Sequence, residues 1–352
     1  MTDGVDSAAR RAPRTRRTGS RPPTILDVAR AAGVSSATVS RVVNGTPSVN
    51  EVLAERVRAT VRELDYVPSG TARSLSSGVT RTVAMLVPDL GNPMFHQVFQ
   101  GLHTAAAADG YLVLVADSQE DAGKEAVLVR DARKRCDAAV LCAPRMGDAE
   151  LADVLAGLAP AVVVNRESGV PGVCSVSVDY EAGIVAVAEY LISLGHRRLA
   201  YLAGPSRSAS QRARERGLAR IATQHPGVAV VQLPCGSTME DGYQAWPAVE
   251  ASGASAVMAF NDVVALGLLG RLGEQRVRVP EQLSVTGFDD IMFARFSSPS
   301  LTTVSVDLPG TGRVVWATLR AAIDGQAARP STVFRPQLIV RGSTGVAPRT
   351  AS

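Results

Sequence analysis

The sequence predicts a small all-α head of three helices, followed by an α/β region of two doubly wound parallel-sheet subdomains. Three observations carry this. A helix–glycine turn–helix pattern fills residues 24 to 44. From residue 82 onward, apolar strands alternate with helices in two successive series. Arginine crowds the first quarter: residues 1 to 79 hold 12 Arg against 7 acids, while the whole 352-residue chain has a net charge of only +4. A basic segment on a near-neutral body suggests a nucleic-acid-binding head joined to a domain with another task.

Residues 1 to 23 carry six Arg among Ala, Pro, Thr, Ser and Gly with no periodicity, which reads as a disordered basic tail. The head spans 24 to 67. Thr24 is placed to cap a first helix with Asp27 three residues on, close to a capping box. Ile25, Val28, Ala29 and Ala32 form one apolar face. Gly33 stops the helix, since a helix end often needs a positive φ. Ser35 caps a second helix, Ser36 to Asn44, with Val39, Val42 and Val43 inward and Ser36, Ala37, Ser40, Arg41 and Asn44 outward. Two such helices around a tight glycine turn are the signature of a helix-turn-helix, whose second helix fits a DNA major groove; a helical hairpin within a globular core is the other reading of the same pattern. After a Pro47/Ser48 turn, a third helix from Glu51 to Leu64 is expected to close the core with Val52, Ala59 and Val61.

Strands are expected at 82–89, 111–117, 138–144 and 161–165, separated by helices at about 93–108, 122–134 and 148–158. A second series runs through helix 180–194, strand 199–205, helix 210–224, strand 228–233, a helix around 240–251, strand 256–262, helix 263–273 and strand 284–290. Such alternation argues parallel sheets with helices on both faces. Two such subdomains imply a cleft at the carboxyl ends of their strands. Asp89, Asn165, Ser210, Arg214, Asn261 and Asp289 fall where strands end and helices begin.

Composition narrows the function. Apolar residues make up 46% of the chain and aromatics 4%, so the cores are built from Ala, Val and Leu. No apolar run approaches the roughly 18 residues of a membrane span, and no apolar stretch follows the basic N-terminus as in a signal peptide. A cytoplasmic protein without membrane contact is expected. Cys136, Cys142, Cys174 and Cys235 lack metal or disulfide spacing and fit buried thiols. His96, His103, His196 and His225 show no ligand spacing, and His196 reads as structural. There is no GxSxG, HExxH or Walker A loop, so neither an enzyme nor a cofactor is expected.

AGVSSATVSRVVN (32–44) followed by YVPSGTARSL (66–75) resembles the N-terminus of the LacI/GalR family of transcriptional regulators. Further motifs extend the resemblance to about residue 344: NPMF (92–95), DYEAG (179–183), LGHRRLAYLAGP (194–205), FNDVVALG (260–267), GFDD (287–290), PSLTTV (299–304) and LIVRGST (338–344). The resemblance implies a hinge helix at 68–79, with Leu75 as a minor-groove wedge. It also implies a periplasmic-binding-protein-like effector and dimerisation domain at 80–345. Its N-subdomain would take 81–178 plus 308–335, and its C-subdomain 179–305 plus 336–344, with three crossings between them.

By the same resemblance, Ser36 and Ala37 match positions that set base preference, and Arg41 a base- or phosphate-contacting position. Thr24, Ser35, Thr38, Ser40, Asn44 and Tyr66 match positions that hold phosphates or the fold. Ser210, Arg214, Asn261 and Asp289 match effector contacts, Phe95 a ring that packs on the ligand, and Asn165 and Arg166 a further contact region. Ser237 stands where an aromatic is common, Val306 where a polar residue is, and Ser69 departs from the usual Asn. The implied protein is a repressor, a homodimer with tetramers not excluded, on a pseudo-palindromic double-stranded DNA operator. Its effector is a small polar metabolite, with a sugar favoured and nucleoside or small acid left open. A sugar-binding transport protein and a cleft enzyme are the rival readings. The basic head and the missing signal peptide argue against the first, and the lack of a catalytic pair against the second.

Overall fold

The computed structural model describes residues 21, 23–45, 49–67, 79–158, 160–327 and 330–348. The expected basic tail at 1–23 falls almost entirely outside these residues, and the Pro47/Ser48 turn and the hinge segment with Leu75 lie outside them. The chain divides into two units, Met1–Thr80 and Arg81–Ser352.

In the first unit, α1 (Ile25–Ala32), α2 (Ser36–Val43) and α3 (Glu51–Glu63) form the head. The Asp27 carboxylate accepts the Thr24 N–H at 2.9 Å and the Thr24 hydroxyl at 2.7 Å. Gly33 takes φ 63° at the end of α1, a conformation that a Cβ would strain. Ser35 Oγ accepts the Thr38 N–H at 3.1 Å and starts α2. Asn50 caps α3 by accepting the Val52 N–H at 2.9 Å. The core is Val28, Ala29, Ala32, Val39, Val42, Ala54, Val57 and Tyr66.

This corrects the expected face of α3. Val52 is 82% exposed and Ala59 is also exposed, while Val61 is only partly buried. Ala54, Val57 and Thr60 point inward instead, spaced three residues apart. Thr60 tolerates burial because its hydroxyl donates to the Arg56 carbonyl at 3.0 Å.

The second unit contains two parallel sheets. The first uses β1 (Thr82–Val87), β2 (Leu112–Asp117), β3 (Ala138–Cys142), β4 (Ala161–Val164), β5 (Cys174–Val178) and β11 (Thr332–Phe334), in the order β11-β5-β4-β3-β1-β2. Alternate residues of β1 feed opposite faces. Val83, Met85 and Val87 pack with α4 (Pro93–Ala108) and α13 (Leu308–Ile323), through Leu102 and Leu319. Ala84 and Leu86 pack with α5 (Ala122–Arg135) and α6 (Asp148–Ala156), through Val129 and Leu155.

The second sheet has the order β7-β6-β8-β9, from β6 (Arg198–Ala203), β7 (Ala229–Pro234), β8 (Ala256–Ala259) and β9 (Ser284–Thr286). Its faces are covered by α7 (Tyr180–Ser193) and α8 (Ala209–Gln224) on one side. On the other lie α10 (Trp246–Ser252) and α11 (Asp262–Glu274). An antiparallel pair, β10 (Thr303–Ser305) with β12 (Gln337–Ile339), joins this lobe. The chain therefore passes between the lobes after β5, between β10 and α13, and between β11 and β12.

Several elements depart from expectation. The helix expected around 240–251 is two, α9 (Met239–Gln244) and α10. Pro247 lacks an N–H and sits in the first turn of α10, which breaks the run. The strand expected over 284–290 ends at Thr286, because Asp289 and Asp290 take φ 109° and 53°. The short strand β5 and helix α12 (Met292–Phe296) carry no clear period. Gly312 lies in α13, where it allows close packing on α4. A Cβ on Gly312 would come within 2.2 Å of the Val98 carbonyl oxygen on α4.

Candidate DNA-reading face and ligand cleft

On the head, Val39 and Val42 anchor α2 in the core and turn its opposite side outward. That side presents Ala37, Arg41 and Asn44 as exposed residues, with Ser36 and Ser40 half-buried. Asn44 Nδ2 donates to Ser40 Oγ at 3.3 Å, and the Ser35 and Thr38 hydroxyls pair at 2.9 Å. Among the described residues, nothing pairs with the Arg41 guanidinium, so its donors are turned to solvent. Thr24 is committed to Asp27, and Tyr66 is packed in the core. For these two the structure shows a part in the fold.

In the second unit, connections at the carboxyl ends of both sheets converge on one cavity. Asp89 follows β1, Glu120 follows β2, Arg145 follows β3 and Asn165 follows β4. From the other lobe come Ser210 after β6, Ser237 after β7, Asn261 after β8 and Asp289 after β9. Phe95 and Asn92 enter from the start of α4, Tyr180 from the start of α7 and Phe260 from the end of β8. The cavity measures about 30 Å³, roughly the space of one water. Four lining residues that are not glycine hold positive φ: Glu120 59°, Ala143 45°, Asn165 59° and Asp289 109°. Such strain collects where the chain must aim groups at a site.

Arg214, on α8, is almost wholly buried. Its guanidinium carbon lies 4.5 Å from the Tyr180 ring centroid, 4.6 Å from Phe260 and 4.1 Å from Phe288. Its Nε and Nη1 have no hydrogen-bond partner, and neither does Asn165 Oδ1. Three rings offset part of the cost of burying this charge, but the directed donors are unmatched. Asp289, 6% exposed, has its pKa pushed up to about 7 by burial, against the opposing pull of Arg214 and Asn92. Burial also raises Asp89, whose carboxylate accepts the Gly91 N–H at 2.7 Å.

Other groups in and beside the cleft are already satisfied. Asn261 Oδ1 caps α11 through the Val264 N–H at 2.9 Å, and its Nδ2 donates to the Ser237 carbonyl at 3.0 Å. Ser210 Oγ pairs with Ser208 Oγ at 2.8 Å. Arg145 binds both Glu120 oxygens, at 2.5 and 2.8 Å. Below the cleft, buried Asp262 accepts from Thr303 Oγ1 at 2.5 Å and from the Ile291 N–H at 2.8 Å, which holds the Asp289 loop. Burial, with Asp289 nearby, raises the Asp262 carboxyl well above the usual range.

Phe95, Asn165, Ser210, Arg214, Asn261 and Asp289 thus meet as expected from the sequence. Arg166 does not join them. Its guanidinium donates to the Pro144 carbonyl at 2.9 Å and the Met146 carbonyl at 2.5 Å, and pairs with Asp148. Val306 packs into the hydrophobic cores and does not line the cleft. Glu120, Arg145, Tyr180 and Phe260 also line the cavity; Tyr180 and Phe260 lie inside the DYEAG and FNDVVALG motifs, whereas Glu120 and Arg145 sit in loops that no motif marks. His196 is structural: Nδ1 pairs with Ser255 Oγ at 2.8 Å and Nε2 with the Gly345 carbonyl at 3.1 Å. Among the described residues there is no candidate metal cluster, and no helix is long and apolar enough to cross a membrane.

A three-helix head with an exposed reading face, in one chain with a two-lobed polar cleft, defines a ligand-responsive DNA-binding regulator. Residues 24–69 match the family of bacterial regulatory proteins, lacI family, and residues 188–344 match the periplasmic binding protein-like domain. The transcriptional repressor PurR of Photobacterium profundum is 31% identical over 332 residues, covering 91% of this chain and 98% of the relative. The lac repressor dimer bound to operator and the anti-inducer ONPF superposes with a TM-score of 0.81 at 27% identity, covering 92% of this chain and all of that one. The transcriptional regulator CelR in complex with cellobiose gives 0.67 at 28% identity, covering 91% and 99%. The chain belongs to the lacI family of bacterial regulatory proteins, and is a helix-turn-helix transcriptional regulator.

Proposed function

We propose that this regulator is a repressor that binds a pseudo-palindromic operator as a homodimer and is controlled by a small, hydroxyl-rich metabolite in the interlobe cleft. One observation carries the effector reading. Arg214 Nε and Nη1 and Asn165 Oδ1 are buried beside the same cavity with donors and an acceptor unmatched. A sugar-like ligand supplies both kinds of partner, and its hydroxyls also donate to Asp289 and Asp89. The lac repressor dimer with operator and CelR with cellobiose are precedents for such partners in related structures. Residues of both lobes line this cavity, so a ligand bound in it would touch both. This links occupancy to lobe position, and the ligand shifts the DNA-binding equilibrium by its difference in affinity between the two states.

On the DNA side, Arg41 reads or anchors, with Ser36, Ala37, Ser40 and Asn44 beside it. Ser35 and Thr38 start the reading helix, and Leu75 is the proposed wedge. A thermal-shift screen of neutral sugars, nucleosides and small acids on the full chain, followed by operator titration with each hit, tests the reading. A hit that raises the melting temperature and changes operator affinity supports it. Binding of all three classes that leaves operator affinity unchanged overturns the control step.

A further inference from the structure

Helix α4 carries no Asp, Glu, Lys or Arg from Pro93 to Ala108. Met94, Phe95, Val98, Leu102 and Ala106 form its buried face. On the outer side His96, Gln100, His103, Thr104 and Ala107 are exposed along one stripe. A helix that faces water ordinarily places charges there. Phe99 stands half-buried between the two histidines. Its ring centroid lies 6.4 Å from that of His96 and 5.3 Å from that of His103.

Beside α4 runs β2, the outermost strand of its sheet. Among the described residues no strand pairs with its outer edge. Leu112 is 65% exposed, Leu114 is 53% exposed, and Val115 is exposed as well. An apolar edge of this kind pairs with other chains, and folded proteins ordinarily cover it or charge it. Leu112 to Ala116 contain no charged residue. Depletion of charge around apolar and aromatic groups is the composition of an interface core.

The spacing on α4 favours a second copy of this chain as the occupant. In a twofold contact residue i meets j and j meets i. His96 and His103 are equally far from the midpoint between Phe99 and Gln100. Two copies of α4 that cross antiparallel at that midpoint bring each His96 to the other copy's His103. We infer that a second copy covers the α4–β2 face, with His96 against His103 of the partner subunit, so that the dimer loosens in mild acid. This rests on the homodimer reading above, and adds the face that closes the pair and the condition that opens it.

Histidine changes charge between pH 5 and 8. Burial in the contact disfavours the charged ring, and a second charged ring opposite disfavours it further. The separate protomers therefore bind protons that the dimer excludes. Association is complete above the histidine range and is lost as pH falls through it. The neighbouring charges are already engaged. Asp109, at the end of α4, accepts Trp316 Nε1 at 2.7 Å, and Asp117, at the end of β2, accepts the Gln119 N–H at 2.8 Å. On α13, Arg313 pairs with Asp307 and Arg320 with Asp324. On α11, Asp262 is held by Thr303 and Ile291, and Arg271 pairs with Glu274. Asp89, before the first turn of α4, accepts the Gly91 N–H. Titration of the face falls to the histidines. An operator of two half-sites needs both heads, so acid would also release the DNA.

Sedimentation equilibrium and subunit exchange of the full chain at pH 8, 7, 6 and 5.5 provide the test. The dimer dissociation constant should rise about tenfold or more from pH 8 to 5.5. His96→Gln/His103→Gln, at two exposed positions, should keep the wild-type pH 8 value throughout. Asp289→Asn, which removes the titrating group of the cleft, should keep the wild-type pH dependence. Leu114→Lys, which charges the exposed edge, should yield monomers at pH 8. A dimer equally tight at every pH, or a pH dependence that survives the double glutamine variant, overturns the inference and leaves the homodimer reading standing. A dimer indifferent to Leu114→Lys puts the contact elsewhere and overturns it too. A wild-type monomer at every pH overturns both readings.

Discussion

The Arg214 guanidinium lies 4.1 Å from the centroid of the Phe288 ring, and Phe288 in turn meets Tyr180 at 5.3 Å. The arginine is thus held by rings on several sides, and two of its nitrogens lack an acceptor. Burying those nitrogens without an acceptor costs stability, and an acceptor placed against them would recover it.

Arg214→Met is therefore expected to melt at or above the wild-type temperature. Methionine fills the aromatic slot without burying a charge whose donors are unmatched, and Asp289, freed from the downward pull of Arg214, stays protonated near neutral pH, so no lone buried charge is left behind. The same variant should lose effector binding tenfold or more and keep operator affinity. Melting curves and operator titrations with and without effector measure both effects. A variant that melts many degrees lower would show that Arg214 holds the fold and has no special part in the ligand site.

Asp289 gives the cleft a pH dependence. Its pKa, pushed up to about 7 by burial, lies above the value of an unfolded carboxylate. The folded state therefore holds this proton more tightly. The stabilisation is complete below about pH 4 and is lost as pH rises through about 7. Asp289→Asn keeps the neutral shape at all pH values. Its stability relative to wild type should climb from pH 4 to 7 by up to about 4 kcal/mol, then level off. Effector affinity of the wild type should rise over the same window, because the ionised carboxylate is the better acceptor for ligand hydroxyls. Denaturant titrations at pH 4, 5.5, 7 and 8 decide the matter, and parallel wild-type and variant profiles would refute it.

The layout was legible where pattern and topology agree. Apolar strands such as 82–87 and 138–142 announce themselves, and a doubly wound sheet puts their carboxyl ends at the cleft. Asp89, Asn165, Ser210, Asn261 and Asp289 therefore fall at strand ends by position, where a helix cap or surface role fits as well, and for Ser210, Asn261 and Asp289 it is the family resemblance that implies ligand contact. Arg166 could not be placed, because the positive φ at Asn165 sends the next side chain under the turn after β3, where carbonyl oxygens hold it. The Arg145–Glu120 pair is not legible in the sequence, because it spans 25 residues and two separate loops. The short strands β9 to β12 are three residues each, and backbone partners define them where side-chain period does not. The phase of α3 was obscured by Val52, an apolar residue on the wet side.

That phase can be checked directly. Val57 is fully buried in the head core, whereas Val52 is 82% exposed. Val57→Ala should destabilise the head by about 1–3 kcal/mol through lost contacts and an imperfectly filled space. Val52→Ala should stay within about 0.5 kcal/mol of wild type. In the full chain, operator affinity at rising temperature serves as the readout. Equal losses for the two variants would restore the face read from the sequence.

Arg41 is the cation on the outward face of α2, and among the described residues it makes no ion pair or hydrogen bond that its removal would break. Arg41→Ala should leave thermal melting and effector affinity unchanged. Its cost should fall on DNA. If the guanidinium forks onto two acceptors of a guanine edge, operator binding weakens by about 1–3 kcal/mol while binding to scrambled DNA hardly changes. If it holds a phosphate, both DNAs lose affinity alike and the salt dependence of binding becomes shallower by about one ion. Its place among Ser36, Ala37 and Ser40 favours the first outcome, because small neighbours offer few base contacts of their own and leave the long arginine as the principal reader. Gel-shift titrations on operator and scrambled duplexes at two salt concentrations separate the two. Unchanged affinity on both would remove Arg41 from the interface.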